Sequence, residues 1–229
     1  MGEAEKIRRA VLDRATYFLT GRRTFGGCPY RGYLGLRAYY QMHALDPRGD
    51  YRRGIITDEL LGFAGVTVEE LDKAARKNTL AKRRYQLSPL GGAIEELAGE
   101  MDVELGEDLK EAIEEYKKKP FDVYVITSKE RTEGADAILY PEILERVAER
   151  LRSDIYIWTS SIHEVMVTPK NCIGEDFIHN MVRDINRDVV DDEEVLSDAV
   201  YEYVRGSGEV TVKRAASGME QRSSRRSGQ

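Results

Sequence analysis

The clearest pattern of apolar and polar positions lies between residues 121 and 169, in FDVYVITSKERTEGADAILYPEILERVAERLRSDIYIWTSSIHEVMVTP. Four β-preferring residues in succession, residues 123–126, predict a strand that is covered on both faces and lies in the middle of a sheet. Pro141 suits the first position of a helix over residues 141–151, where apolar residues recur at intervals of three and four. Between these two elements the pattern predicts a polar loop and a short strand at residues 137–140.

Two further strands are predicted at residues 154–158 and 162–168, and the turn between them makes a β-hairpin the expected structure. A three-residue turn at 159–161 and a two-residue turn at 160–161 both fit the pattern. In either register, successive side chains of the second strand point to opposite faces of the sheet.

The N-terminal half mixes helix and strand patterns. Its predicted elements are a helix at residues 3–19, a Gly-, Pro- and Tyr-rich loop at 24–35, and a hairpin with strands at 36–45 and 51–60 around the turn sequence DPRGD. Thr67 followed by Glu70 is a capping-box pattern, which predicts the start of a helix that ends near Asn78.

The C-terminal half adds more of both element types. Its predicted elements are helices at residues 93–98, 107–118 and 175–189 and a final hairpin at 201–204 and 210–212. The expected fold class is therefore α+β, with a mixed β-sheet, β-hairpins and helices packed mainly on one face. The expected divisions of the chain are an N-terminal helix and loop at 1–33, an α+β domain at 34–213 with any internal boundary within 85–120, and a disordered basic tail at 214–229.

Composition narrows the class of protein. The 229 residues are 41% hydrophobic and 33% charged with a net charge of -6, which is typical of an ordinary globular protein. Cys28 and Cys172 match no metal or redox spacing, and no apolar run approaches a membrane span or a signal peptide. We therefore expect a cytoplasmic protein with reduced thiols that uses no cofactor, no metal and no membrane.

The residues that suggest chemistry surround the predicted turn. His163 and Glu164 offer an imidazole and a carboxylate, which carry protons or bind metals near neutral pH. Adjacent residues of a strand face opposite ways, so these two side chains should not form one dyad. A nucleophile with its base would instead combine Ser160 or Ser161 with His163, oriented by Glu164 or Asp198.

Structural roles for these serines and for His163 are nevertheless the favoured interpretation. No Gly-x-Ser-x-Gly sequence surrounds them, and hydroxyl groups in turns commonly bond to the local backbone.

The most basic part of the chain runs from Lys73 to Arg84. Its candidate binding residues are Asn78, Lys82, Arg83 and Arg84. Tyr85 is the one neighbouring ring on which a base could stack, so a solvated helix face is favoured over an RNA or phosphate surface.

Several phrases, in a fixed order from about residue 34 to 212, resemble a known family. They are ITDELLGFAGVTVEELDKAARKNT, YVITSKERTEGADAILYPEILERVAERL, DIYIWTSSIHEVMVTP and EEVLSDAVYEY. They are similar to an uncharacterised bacterial family of the Firmicutes type, catalogued as a domain of unknown function, whose pattern includes Gly134, Tyr140 and the run from Ser160 to Glu164. The chain departs from that pattern at Ser128 and at residues 157–159. The resemblance implies membership and assigns no reaction or ligand.

The leading functional hypothesis is a non-catalytic intracellular interaction or regulatory module whose partner is another protein, because no complete cofactor, phosphate or metal motif is present. A hydrolase-like enzyme with a site around Ser161 and His163, joined by Asn78 or Asp198, is the alternative. Nucleic-acid binding through Lys73 to Arg84 is a second alternative, and salt-sensitive binding would be its signature.

Overall fold

The computed structural model describes residues 2–21, 23–45, 51–100, 102, 104–118, 123–159, 161–188 and 190–215. Its helices are α1 Glu3–Arg14, α2 Asp58–Ala64, α3 Val68–Arg83, α4 Leu90–Glu100, α5 Glu107–Lys118, α6 Pro141–Leu151, α7 Glu175–Asp188 and a 3-10 helix at Gly134–Leu139. Its strands are β1 Thr16–Thr20, β2 Tyr30–Tyr33, β3 Leu36–Leu45, β4 Tyr51–Ile55, β5 Gln86–Pro89, β6 Tyr124–Thr127, β7 Ile155–Trp158, β8 Glu164–Pro169, β9 Val200–Tyr203 and β10 Val210–Arg214. The contacts define two compact units, one up to Arg84 and one from Tyr85 onward.

The first unit contains a four-stranded antiparallel sheet. β3 pairs with β1 along one edge and with β2 and β4 along the other. Tyr17 on β1 and Tyr40 on β3 are opposite each other in the register, and both hydroxyl groups donate to Asp72 Oδ1 on α3, at 2.7 and 2.9 Å. One face of the sheet is therefore tied to α3, which packs there together with α1.

α3 begins where the sequence predicts. Thr67 Oγ1 accepts the backbone N–H of Glu70, and Glu70 accepts the backbone N–H of Thr67, so the capping box is confirmed. The predicted end near Asn78 is wrong, because α3 continues to Arg83. Asn78 remains helical since its amide donates to the carbonyl groups of Leu12 and Ala15 in the α1 segment, both at 2.9 Å.

Three other expectations for this unit need correction. The predicted helix at 3–19 ends at Arg14 and is followed by β1, the predicted loop at 24–35 contains β2, and the predicted strand at 51–60 ends at Ile55 before α2. The hairpin itself is confirmed, because β3 and β4 pair in antiparallel register. Its predicted turn falls on residues 46–50, which lie outside the described residues.

The second unit contains a six-stranded antiparallel sheet in the order β10-β9-β7-β8-β6-β5. The α+β class is confirmed, and both sheets are antiparallel throughout the described strands rather than mixed. The strand predicted for residues 123–126 exists as β6, but it lies next to the edge strand β5. The middle of the sheet is formed by β7 and β8.

Helices cover both faces of this sheet rather than mainly one. Trp158 on β7 packs with Ile178 and Val182 of α7 on one face. On the other face, Tyr203 of β9 donates its hydroxyl hydrogen to Glu145 Oε2 on α6 at 2.6 Å. All four residues of β7 are buried as a result, which explains their apolar character.

The remaining predictions for this unit are mostly confirmed. The helix that begins at Pro141, the helix α7, the hairpin β7–β8 and the final hairpin β9–β10 are all present. The short strand predicted at 137–140 is wrong, because those residues belong to the 3-10 helix and the start of α6. The edge strand β5 was not predicted. The expected basic tail lies outside the described residues from position 216, and the domain limits at 34 and 213 stay a prediction.

Candidate functional site

The segment 161–163 between β7 and β8 is a bend held by hydrogen bonds from two neighbouring elements. The carbonyl oxygen of His163 accepts the Thr127 hydroxyl and the backbone N–H of Gly134, both at 2.9 Å. The backbone N–H of Ala135 donates to the carbonyl of Ile162 at 3.2 Å. The end of β6 and the start of the 3-10 helix therefore fix the position of the bend.

The register of the hairpin differs from both predicted ones. Trp158 pairs with Met166, so the connection is longer than a two- or three-residue turn. His163 lies in the bend and Glu164 is the first residue of β8. The expected alternation of these two side chains does not apply, because only one of them belongs to the strand.

The His163 ring has a protein partner on each nitrogen. Its Nδ1 accepts the backbone N–H of Glu133 at 3.5 Å, and its Nε2 lies 3.3 Å from Glu194 Oε1. A ring that accepts at Nδ1 carries its proton on Nε2, from which it donates to the carboxylate. About a third of the side chain remains exposed, and so does nearly half of Glu194.

Ser161 does not use His163 as a base. Its hydroxyl donates to Glu164 Oε1 at 2.9 Å and accepts the backbone N–H of His163 at 3.2 Å. Neither contact involves the imidazole ring, so these two side chains do not form a nucleophile–base pair in this geometry. Ser160, the other candidate nucleophile, lies outside the described residues.

His163 and Glu164 border the same cavity, of about 380 Å³, although the sequence placed them on opposite faces. The other residues that line it are Leu90, Ala93, Ile94, Val125, Thr127, Arg131 and Met166. Arg131 also forms an ion pair with Glu96 on α4 at 2.7 Å. The cavity is thus apolar along α4 and β6 and polar at the end formed by Arg131, His163 and Glu164.

A second cavity, of about 510 Å³, adjoins the first and shares Leu90 and Met166 with it. Its other lining residues are Val123, Trp158, Cys172, Ile173, Gly174, Phe177, Met181 and Ile185. The two cavities form one groove over β8 and β6, between α4 and α7, which we call the α4–α7 groove. Phe177 stands at its edge with 64% of its surface exposed.

Asp198, the predicted orienting carboxylate, belongs to a different contact network. Its carboxylate accepts the Asn186 amide at 2.7 Å, and its backbone carbonyl lies 2.8 Å from His179 Nδ1. Both partners are buried residues of α7. Asp198 lines neither cavity of the groove, so its observed contacts hold α7 to the segment before β9.

The predicted binding residues of α3 lie in the first unit. Asn78 bonds to carbonyl groups at the end of α1, which is a structural role. Lys82 is exposed and donates to the carbonyl of Arg14 at 3.5 Å. Desolvation of the ammonium group by neighbouring protein atoms, together with the like charges of Arg83 and Arg14, lowers the pKa of Lys82 below its ordinary value. Arg84 is exposed at the end of the helix, in a left-handed conformation.

The chain matches one protein family over residues 6–205. It belongs to DUF5688, a family of unknown function. The predicted membership of a family of unknown function is confirmed, and the matched region begins before the predicted start near residue 34. The bacterial origin and the family pattern stay predictions. No curated protein and no solved structure matches the chain. The family name assigns no activity to its members.

The described residues contain neither a metal-binding cluster nor a membrane-spanning helix. Within them, no three His, Cys, Asp or Glu side chains are arranged to hold a metal ion. None of the helices in the described part of the chain is long and apolar enough to cross a membrane.

Sequence reasoning found the polar end of the groove and missed its apolar part. Residues 175–189 are predicted as one packed helix, and of its apolar residues Ile178 and Val182 are fully buried against the sheet, whereas Phe177 is exposed and Met181 is partly buried and lines the cavity. The apolar residues of α7 therefore cover a wider arc of the helix than the sheet buries. This surplus of apolar residues is the feature of the sequence that could have indicated the groove.

Proposed function

We propose that this protein is a non-catalytic interaction module that binds a basic, amphipathic helical segment of another protein in the α4–α7 groove. The observation that carries the proposal is the continuity of the two cavities, which share Leu90 and Met166 and end at the exposed ring of Phe177. A groove between two helices over a sheet suits a third helix that presents one apolar face.

The side chains of the groove suit a peptide partner. Met166 and Met181 are flexible and polarizable, and methionine is common on surfaces that accept apolar side chains of varied shape. Phe177 would lose exposed apolar surface on binding, and aromatic residues that become buried in an interface often contribute strongly to affinity.

Charge complementarity favours a basic partner. Glu164 and Glu194 stand at the polar end, and Glu96 pairs with Arg131 beside them. From residue 85 onward the sequence has 18 Lys and Arg against 31 Asp and Glu, a net charge of -13. Lysine or arginine on the polar face of the bound helix would therefore be attracted to this unit.

The hydrolase alternative receives less support. Ser161 donates to a carboxylate rather than to an imidazole, and the His163 ring is already bonded at both nitrogens. An intracellular location remains part of the proposal, and the two free cysteines suit a reducing compartment.

The proposal can be tested with a fluorescent peptide of about 16 residues, roughly 24 Å long as a helix, with leucine on one face and lysine on the other. Fluorescence anisotropy would measure its dissociation constant for the full chain. A peptide of the same composition with the leucines dispersed, and one with glutamate in place of lysine, test the shape and the charge of the ligand. We expect the lysine peptide with one apolar face to bind most tightly.

Phe177→Ala should weaken binding by about 10-fold or more, because burying a phenylalanine side chain contributes about 1.5–3 kcal/mol. Phe63→Ala is the matched control, since Phe63 is 57% exposed and lies in the first unit. Equal losses for the two variants, or none for either, would remove the groove as the binding site.

A further inference from the structure

The two units carry opposite net charges. Residues 1–84 contain 17 Lys and Arg against 10 Asp and Glu, a net charge of +7, although the whole chain has -6. Charges farther apart than about 8 Å are largely screened at physiological salt. The local balance, rather than the total, therefore decides what the surface of the first unit attracts.

Three arginines of this unit lie over aromatic rings. The pairs are Arg23 over Phe25 at 5.0 Å, Arg37 over Tyr30 at 5.8 Å and Arg53 over Phe18 at 4.8 Å, measured from the guanidinium carbon to the ring centroid. These distances are within the range of cation–π contacts. We call these six residues the arginine–ring face.

The strand register explains why they come together. Phe18 and Tyr30 are both paired with Tyr39, so their side chains lie on one face of the sheet, on either side of it. Arg37 and Arg53 share that face by alternation along β3 and β4. The opposite face carries Tyr17 and Tyr40, which bind α3, so the arginine–ring face is the side away from that helix.

The rings form a continuous row. Tyr30 lies 5.2 Å from Tyr39, which lies 5.0 Å from Phe25, which lies 6.2 Å from Phe18. Tyr39 and Phe18 are buried beneath the surface, whereas Tyr30 is 50% exposed and Phe25 is partly exposed. The row thus presents two accessible rings with basic side chains beside each of them.

We propose that the arginine–ring face binds single-stranded nucleic acid. Exposed rings on a sheet allow unpaired bases to stack, and this stacking tolerates any base. An arginine guanidinium can donate N–H groups to phosphate oxygens and can stack its plane on a base, and Arg37 in addition donates from Nη1 to the carbonyl of Gly21 at 3.0 Å. The bases of a duplex are stacked on one another, so they cannot use these rings.

This site differs from the basic cluster of α3 that the sequence suggested. The α3 cluster has positive charge, while the arginine–ring face combines positive charge with the aromatic rings of Tyr30 and Phe25, which are at least partly exposed. The proposal is also independent of the α4–α7 groove, because it concerns residues of the first unit alone.

The test uses the full chain and a fluorescent uridine oligomer of about 12 nucleotides. Binding is measured by anisotropy between about 50 and 200 mM salt. Three phosphate contacts predict a slope near -2 for log affinity against log salt, which is about a 20-fold loss across this range. An affinity that does not change with salt concentration, or that is equally high for a duplex of the same length, overturns the proposal.

Arg23→Gln/Arg53→Gln removes two charges from the face, both on exposed side chains. It should reduce affinity about 10-fold or more and make the slope shallower by about 1.4. The matched control is Lys6→Gln/Arg9→Gln, which removes two exposed charges from α1 and should change affinity less than about threefold. A larger loss in Lys77→Gln/Lys82→Gln than in the Arg23/Arg53 variant would place the binding on α3 and refute the assignment.

Substitutions of Tyr30 distinguish the contribution of base stacking to binding from that of charge. Tyr30→Leu should weaken binding by about 5- to 150-fold without changing the salt slope, whereas Tyr30→Phe should bind like the parent. Thermal melts followed by circular dichroism verify that each variant is folded. If an acidic peptide of equal charge binds as tightly as the oligomer, and Tyr30→Leu weakens the binding of neither ligand, the face is instead an electrostatic surface for proteins.

Discussion

Gly134→Ala should destabilise the second unit strongly, because the site has no space for a methyl group. A Cβ atom at Gly134 would stand 2.6 Å from the carbonyl oxygen of His163, 2.6 Å from the backbone nitrogen of Ser128 and 2.8 Å from the Thr127 Cα. All three contacts are with backbone, which cannot rotate away as a side chain can. The end of β6 or the bend at His163 would have to move.

The expected cost follows from these contacts. Overpacking of a close-packed interior costs about 1–3 kcal/mol, and three simultaneous backbone contacts place this substitution at the upper end. The same movement would weaken the hydrogen bond from the Gly134 N–H to His163 and the one from the Thr127 hydroxyl. We therefore expect a loss of about 3 kcal/mol in the free energy of unfolding.

Urea denaturation followed by tryptophan fluorescence measures this loss, since Trp158 is the one tryptophan of the chain and lies buried in the second unit. With a slope of about 2 kcal/mol per molar urea, the midpoint should fall by about 1.5 M. Gly92→Ala is the control, because a Cβ there meets nothing within 4 Å and α4 should tolerate or favour alanine. If the two variants have the same midpoint, the reasoning about the bend is wrong.

Three further predictions concern single contacts. Thr67→Ala removes the capping box of α3 and should cost about 1 kcal/mol in urea unfolding followed by circular dichroism. Asp72→Ala removes the carboxylate that accepts from two largely buried tyrosine hydroxyls and should cost about 2–3 kcal/mol by the same measurement. The hydrogen bond from Tyr203 lowers the pKa of Glu145, so its contribution is present above the unfolded pKa and disappears as the pH falls through the folded one. Tyr203→Phe should therefore be less stable than the parent near pH 7, and that difference should shrink below about pH 4.5.

Local signals predicted the starts of elements better than their ends. The Thr67 capping box and the first-turn Pro141 each act within a few residues, so the sequence alone carries them. The end of α3 depends on Asn78, whose amide bonds to carbonyl groups 63 and 66 residues earlier in the chain. Helix propensity cannot report a contact of that separation, and the stop predicted at Asn78 was wrong for this reason.

The error at β1 has a related cause. Ala15 and Phe18 continue the helical spacing of α1, so periodicity alone extended the helix to residue 19. In the structure Ala15 leaves the helical conformation and its carbonyl accepts the Asn78 amide. Thr16 to Thr20 then pair with β3, which buries all five side chains in a way that a helix could not.

The polar end of the α4–α7 groove illustrates the limit of the alternation rule. The rule separates His163 from Glu164 only if both residues belong to one regular strand. Three hydrogen bonds, from the Thr127 hydroxyl and from the backbone N–H groups of Gly134 and Ala135, hold the residues before β8 in a bend, and none of these donors is close to His163 in the sequence. Gly134 permits the close approach of the backbone because it has no Cβ atom, but the sequence does not reveal which segment approaches it. The residues of the candidate site were therefore predictable, but their meeting in one cavity depends on contacts between β6, the 3-10 helix and the bend. The same holds for the apolar part of the groove, because α4 and α7 line it together although they begin about 85 residues apart in the chain.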